Sequence, residues 1–433
     1  MDKNKYLETV AAQIRCKRAV PYLQQELEDH IEDQKEAYIA DGMKPEEAEE
    51  AAVREMGDPV ETGVQLDQVH RPKMDWKILL GAVVLGIIGI ILQVSIVIAV
   101  GNPNYMYETN KQARLLLAGI ILMVIVCYID YSKLAKYARI LWWGLIGLLF
   151  LSCVCELPIL YRTVNGVNRI PRVIAYFMGP IYPAFVYSWR NQGKKGFVMS
   201  LLGLVLFTVF LIFDMPLGWV AKYCVIGCAV FGYAIYKKWF RITKADVKTM
   251  AKYGACVCGG IAVCLIYDVI NYGYHDFYFV PQYYIARLET FLSGTAKDYI
   301  AEEIKVYLQN GGNQAESQFL QEYMQNDYIW LFITEHLGKV EVILIVALFV
   351  TFILFLVRKV SKQKNMLGKV VATSCVMTFM IEILFYVGGN LGITPFIGCF
   401  MPFFGTGKVV TVITYFYMGI LLSIFRNTNV VRN

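Results

Sequence analysis

The chain has little charge and few of the residues that build soft metal sites. Only 18% of its 433 residues are Asp, Glu, Lys or Arg, 57% are hydrophobic, and the mean hydropathy is +0.47. A soluble domain does not hide that much apolar surface, so the composition is that of a membrane protein. Histidine is scarce, with His30, His70, His275 and His336 scattered along the chain. No Cys-x-x-Cys pair or Cys/His cluster occurs among the eleven cysteines, which excludes a zinc-type site. Most of the cysteines lie inside apolar runs, where they read as small hydrophobes and not as a disulfide framework. A signal-peptide pattern is also lacking, and an acid-rich N-terminus excludes a targeting peptide. Nothing in the composition calls for a nucleic-acid partner.

Long apolar runs are abundant. The first, Ile78 to Val100, is interrupted only by Gln93 and Ser95 and suffices to cross a hydrocarbon core of about 30 Å. Ten spans can be drawn, near 78–100, 115–129, 140–157, 173–189, 197–213, 219–236, 253–270, 340–357, 370–388 and 409–425. Lys and Arg concentrate in alternate connections: Lys133, Lys194, Lys237, Lys362 and Arg426 all fall on one side. By the positive-inside rule both termini are then cytoplasmic and the long loop 271–337 faces out. The expected class is an all-α membrane protein of ten transmembrane helices, with residues 76–426 as the membrane domain and 427–433 as a cytoplasmic tail.

Residues 1–75 form a separate acidic prefix. Through residue 77 the chain carries 18 acids and 11 bases, whereas the remainder carries 17 acids and 30 bases. Leu23, Leu27 and Ile31 recur at a spacing of four on a charged helix. A second helix starts at Pro45, turns Ala48, Ala52, Val53 and Met56 inward, and stops at Gly57-Asp58-Pro59. The stretch from Glu26 to Pro59 resembles the small helical prefix found before some Firmicute permeases. A docking module and a solvated helical cap without a partner account for it equally well.

Two outer segments carry chemistry. Arg162, Arg169 and Arg172 follow the third span without an intervening acid, against the usual sorting of cations; such a cluster suits a phosphate or pyrophosphate, or anchors lipid headgroups. In the large loop Asp327 and Glu335 lie eight residues apart, on one face if the segment is helical. On the residues alone Asp327 reads as a helix-start carboxylate facing water.

Three separated segments resemble the SEDS proteins of shape, elongation, division and sporulation, the RodA and FtsW type. Gly392 to Lys408 is similar to the family's Pro- and Gly-rich C-terminal loop: Gly392, Pro395, Gly398, Pro402, Phe403 and Gly407 match, while Ile397 and Gly405 replace a Thr and a Ser. Asn326-Asp327-Tyr328-Ile329 and Glu335-His336-Leu337-Gly338 resemble its Thr-Asp-Phe-Ile and Glu-Glu-Leu-Gly segments, with Arg287, Phe291 and Leu292 upstream. Asn165-Gly166 and Arg169 resemble its Asn-Gly-x-Arg-Arg motif. Tyr182-Pro183-Ala184-Phe185 stands at its Gln-Pro-Ser-Glu, Ser188 at its Lys and Glu382 at its Gln.

The resemblance implies a peptidoglycan glycosyltransferase that polymerises lipid II at the outer face of a bacterial, Firmicute-type cytoplasmic membrane, beside a class B penicillin-binding protein transpeptidase. It makes Asp327 the general base, gives Glu335 a supporting role, and lets Arg169, Arg172 and Arg287 bind the departing pyrophosphate, with or without a divalent cation. No cofactor is expected. Gly392, Pro395, Gly398, Pro402 and Gly407 would shape a tight re-entrant loop. With the family Lys absent at Ser188, either Arg172 or Arg190 substitutes for it or the chemistry is weakened. A lipid-linked sugar flippase, marked by Lys222, Asp268 and Glu382, and an inactive scaffold recruiting a cell-wall enzyme are the alternatives.

Overall fold

The computed structural model describes residues 2–17, 19–100, 103–154, 170–214, 217–242, 329, 339–390, 400–405 and 407–428, and its regular elements are all helices. The prefix is built from α1 (Lys3–Gln13), α2 (Val20–Ala40), α3 (Pro45–Glu55) and α4 (Pro59–His70). The expected stripe of Leu23, Leu27 and Ile31 is buried, as are Ala48, Ala52 and Val53. Two further helices complete the core that these stripes need. Helix α1 adds Tyr6, Leu7 and Val10, and the start of α4 is fixed by Asp58, whose side chain accepts the amides of Val60 and Glu61 at 2.6 and 3.1 Å. Helices α1 and α4 are locked by Arg15, whose backbone amide, Nε and Nη2 all donate to the buried Asp67 carboxylate at 3.0, 3.0 and 2.7 Å. Those bonds hold the Asp67 carboxyl below the ordinary carboxylate range, against the opposing effect of its burial.

Among the described residues ten helices follow: α5 (Trp76–Val100), α6 (Pro103–Tyr128), α7 (Ser132–Val154), α8 (Ile170–Tyr176), α9 (Met178–Ser188), α10 (Gly193–Asp214), α11 (Leu217–Tyr236), α12 (Lys339–Ser361), α13 (Met366–Asn390) and α14 (Lys408–Arg426). Among the described residues eight of these are long and apolar enough to cross a membrane. The span expected at 253–270 lies outside the described residues. The span expected at 173–189 is two short helices, α8 and α9, joined through Phe177, which itself has helical dihedrals (φ −71°, ψ −10°). The second span starts twelve residues before its expected position 115, because the polar turn bearing Thr109 and Gln112 is helical and buried against the C-terminal loop.

Helix α14 is the axis of the bundle and lies along α6. Their backbones meet at Gly419, where a Cβ would stand 2.7 Å from Val126 Cβ and 2.8 Å from the Met123 carbonyl. The junction with the prefix is at one end of the bundle, here called the prefix end. There the Lys73 amide donates to the last-turn carbonyl of Arg426 at 3.2 Å, and Lys359 pairs with Asp75 at 2.5 Å. At the same end Ser188, Tyr236, Ser361 and Arg426 close their helices; Arg172, Trp219, Asn390 and Lys408 belong to the far end.

Candidate functional site

Among the described residues the bundle holds one buried ion pair at depth. Lys222 Nζ donates to Glu382 Oε1 at 2.7 Å, with the side chains 1% and 2% exposed. Lys222 lies in the second turn of α11 from the far end, and Glu382 lies two turns inside the far end of α13. The Lys222 ammonium sits 4.1 Å from the centroid of the Trp219 ring. Arg172, the third residue of α8, brings its guanidinium within 5.6 Å of the same ring. Arg172 Nε and Glu382 Oε2 are both buried without a hydrogen-bond partner. Tyr176 packs on Trp219 and on Phe400, with ring centroids 5.6 and 5.4 Å apart, and so connects this cluster to the C-terminal loop.

One turn beyond Glu382 on α13, Tyr386 is fully buried and its hydroxyl accepts the backbone amide of Ile329 at 3.2 Å. Ile329 belongs to the Asn326-Asp327-Tyr328-Ile329 segment. The structure thus brings the end of that segment to the helix face that carries Glu382. Asp327, Glu335, Arg287, Arg169, Gly392, Pro395 and Gly398 lie outside the described residues.

Pro402 and Gly407 are described, and they bracket a loop whose polar backbone is satisfied by buried side chains of other helices. Gln93 of α5 donates to the Phe404 carbonyl at 3.0 Å. Gln112 of α6 spans the loop: its Nε2 donates to Thr411 Oγ1 at 2.8 Å and to the Gly405 carbonyl at 3.4 Å, and its Oε1 accepts the Gly407 amide at 3.2 Å. A non-helical backbone inside an apolar bundle needs such partners. Gly407 has φ 145°, a conformation open mainly to glycine, and Phe403 takes φ 69° while its ring packs against Phe349, Phe352, Phe379 and Tyr415. Sequence reading passed over both glutamines as anchors; the available signal was an amide side chain interrupting an apolar span or opening one.

A second anchor explains the Pro-rich α9. Pro180 has no amide to give the Tyr176 carbonyl, its i−4 partner in a helix. Tyr417 of α14 donates its hydroxyl to that carbonyl instead. Gly179 leaves room for the tyrosine, since a Cβ there would come within 2.7 Å of Tyr417 Cε1.

Ser188, at the place of the family Lys, and Arg190 lie at the prefix end, whereas Arg172 lies at the far end. Ser188 closes α9 at the prefix end, where its hydroxyl donates to the Phe185 carbonyl at 2.7 Å and Arg139 Nη2 donates to its carbonyl at 2.5 Å. Arg190 is engaged with Tyr187. Arg172 is sixteen residues earlier, roughly 24 Å away along a helix axis. Arg139 and Arg190 line an open depression of about 400 Å³ with Lys136, Ser188 and Asn191, at the opposite end from the Lys222 cluster. Among the described residues no three His, Cys, Asp or Glu side chains gather as a metal site would require.

An all-helical bundle of membrane-crossing length, with ionisable groups converging in its far half, defines a multi-span membrane protein. Residues 307–430 match the family model FTSW_RODA_SPOVE, described as cell cycle protein. The probable peptidoglycan glycosyltransferase FtsW of Geobacter metallireducens is 22% identical over 387 residues, covering 83% of this chain and 96% of that protein. A solved peptidoglycan synthase complex that coordinates polymerization and crosslinking contains a chain similar in fold, with a TM-score of 0.60 and 14% identity over 82% of this chain and 98% of that one. The rod shape determining protein RodA of Thermus thermophilus, solved as a point variant, gives a TM-score of 0.52 and 13% identity over the same shares. Together these findings support membership of the SEDS family, the RodA and FtsW type.

Proposed function

We propose that this protein is a peptidoglycan glycosyltransferase that polymerises lipid II at the outer face of a bacterial cytoplasmic membrane. The observation that carries the reading is the Ile329 amide bonded to Tyr386, one turn from the buried Lys222–Glu382 pair. In the reaction the acceptor sugar hydroxyl attacks the anomeric carbon of the donor. The new glycosidic bond forms as the bond to the lipid pyrophosphate breaks, and the hydroxyl proton passes to a base. Asp327 is the proposed base, with Glu335 in support. Arg172, Arg169 and Arg287 are the proposed cations for the leaving group, with or without a divalent cation beside them.

The finer architecture belongs to the same reading. Ten spans with both termini cytoplasmic follow from the charge distribution, and the far end is then the outer face. Residues 1–75 are proposed as a cytoplasmic prefix domain, 271–337 as the outer loop and 427–433 as a tail. A class B penicillin-binding protein is the proposed partner, supported by the likeness to a chain of the synthase complex. The likeness of the prefix to permease prefixes favours a Firmicute source.

A flippase reading draws on the Lys222–Glu382 pair, because ionisable groups within spans mark translocation paths. One experiment separates the two. Purified protein, alone and with its transpeptidase, is supplied with lipid II on its outer-face side, comparing wild type with Asp327→Asn. Glycan strands from the wild type and none from the variant are expected. Equal strands from both remove Asp327 from the role of base, and movement of lipid II across a bilayer without strands favours the flippase.

A further inference from the structure

We propose that Lys222 is a further substrate-binding residue of this site, one that receives the pyrophosphate of a polyprenyl-linked donor, with Glu382 as the counter-ion that holds it in position. The inference rests on the polymerase reading and deepens it. A buried ion pair is a poor structural device: two apolar side chains of similar volume hold helices together as well or better. Here the pair is also incomplete as a structural contact, since Glu382 Oε2 is buried with no donor. That oxygen costs stability and gives the fold nothing in return. Trp219 takes Lys222 at 4.1 Å and Arg172 at 5.6 Å, so two cations converge on one indole in the far half of an apolar bundle. Among the described residues here, two cations face one carboxylate, and Arg172 Nε is a buried donor with no hydrogen-bond partner. Two cations gathered on one indole, with a guanidinium donor still open, are matched by a phosphate oxyanion.

Position favours the same ligand. Glu382 and Tyr386 lie one turn apart on α13, and Tyr386 fixes the segment that follows Asp327. The leaving group of the proposed reaction departs within reach of the base, so a cation that α11 holds against this face of α13 is placed to meet it. None of this was visible at Ser188, where the family pattern carries its lysine. A lysine from α11 supplies the internal charge instead.

The test reads binding without turnover. Full-length protein carrying Asp327→Asn is titrated with a polyprenyl pyrophosphate in nanodiscs. It is compared with the same chain bearing Lys222→Met and Glu382→Met together, the exchanged pair Lys222→Glu and Glu382→Lys, and Lys222→Arg. The double Met variant is expected to stay folded and to bind about tenfold more weakly or worse, the scale of one lost charge-assisted contact. The exchanged pair keeps the ion pair and hence the packing but moves the cation to α13, and it too is expected to bind weakly. Lys222→Arg should stay within about threefold, because it keeps the charge. Parent affinity in the folded double Met variant, or its recovery by the exchanged pair, means the pair is structural and overturns the proposal. Displacement of the pyrophosphate by an equal concentration of phosphatidylglycerol overturns it as well, since the site then reads any anionic headgroup. Turnover by Asp327→Asn would sink the assignment of the base while leaving this binding comparison intact.

Discussion

Replacing Tyr417 with Phe removes a single hydroxyl, and the structure says what that hydroxyl does. The Tyr176 carbonyl is buried, and the amide that would normally meet it belongs to Pro180, which has none. In the variant this carbonyl loses the Tyr417 donor. Leaving one buried acceptor unpaired costs about 1–3 kcal/mol, more than the roughly 0.6 kcal/mol average for an interhelical hydrogen bond in a bilayer protein. The larger figure applies because a proline, and not a free amide, stands across from the carbonyl. Thermal unfolding of detergent-solubilised protein, followed by loss of the monodisperse peak, reads the change. Pro180→Ala in the Tyr417→Phe background restores an amide at position 180 and is expected to recover most of the loss. A neutral Tyr417→Phe, or a double variant no more stable than the single one, would refute this account of α9.

Three further perturbations follow from the same contacts. Gln112→Leu strips partners from the Gly405 carbonyl and the Gly407 amide, so about 1–3 kcal/mol of stability and most polymerase activity should be lost together, read by melting and by strand synthesis. Gly419→Ala drives a methyl into Val126 and the Met123 carbonyl, forcing α14 off α6 at a cost of about 1–3 kcal/mol, measurable by the same melt. Asp67, held below the ordinary carboxylate range by Arg15, contributes stability that is complete above the unfolded carboxyl value near 4 and is lost as pH falls through its lower folded value. Hydrogen exchange of the full chain should therefore show α1 and α4 opening first in acid, and Arg15→Ala should move that opening to higher pH.

The spans were legible because twenty apolar residues in a row leave few alternatives, and eight of ten reappear within a few residues at most of their ends. The exceptions have physical causes. Helix α6 begins early because Gln112 buries its polarity against a loop some 290 residues away, a pairing no local window can see. The α8–α9 pair is broken by Pro180 and Pro183, and it is held by a tyrosine from α14. In the prefix the stripe of Leu23, Leu27 and Ile31 announced a partner surface, but α1 was missed because its apolar residues Tyr6, Leu7 and Val10 are few and widely set among polar ones. At the site, Lys222 and Glu382 stood out as charges in apolar runs, yet their partnership is set by the packing of α11 on α13, 160 positions apart.

The seam between prefix and bundle carries a last consequence. Residues 73 and 75 are not a slack tether: one amide closes the final turn of α14, and one carboxylate holds the end of α12. A pull on the prefix is therefore delivered straight to two rods rather than absorbed by loose chain. Helix α14 is nineteen residues, about 28 Å, and its other tip is the glycine where the Gln112-bound loop ends. A force on the acidic prefix therefore acts on a lever whose far arm ends beside the loop at the opposite end of the bundle.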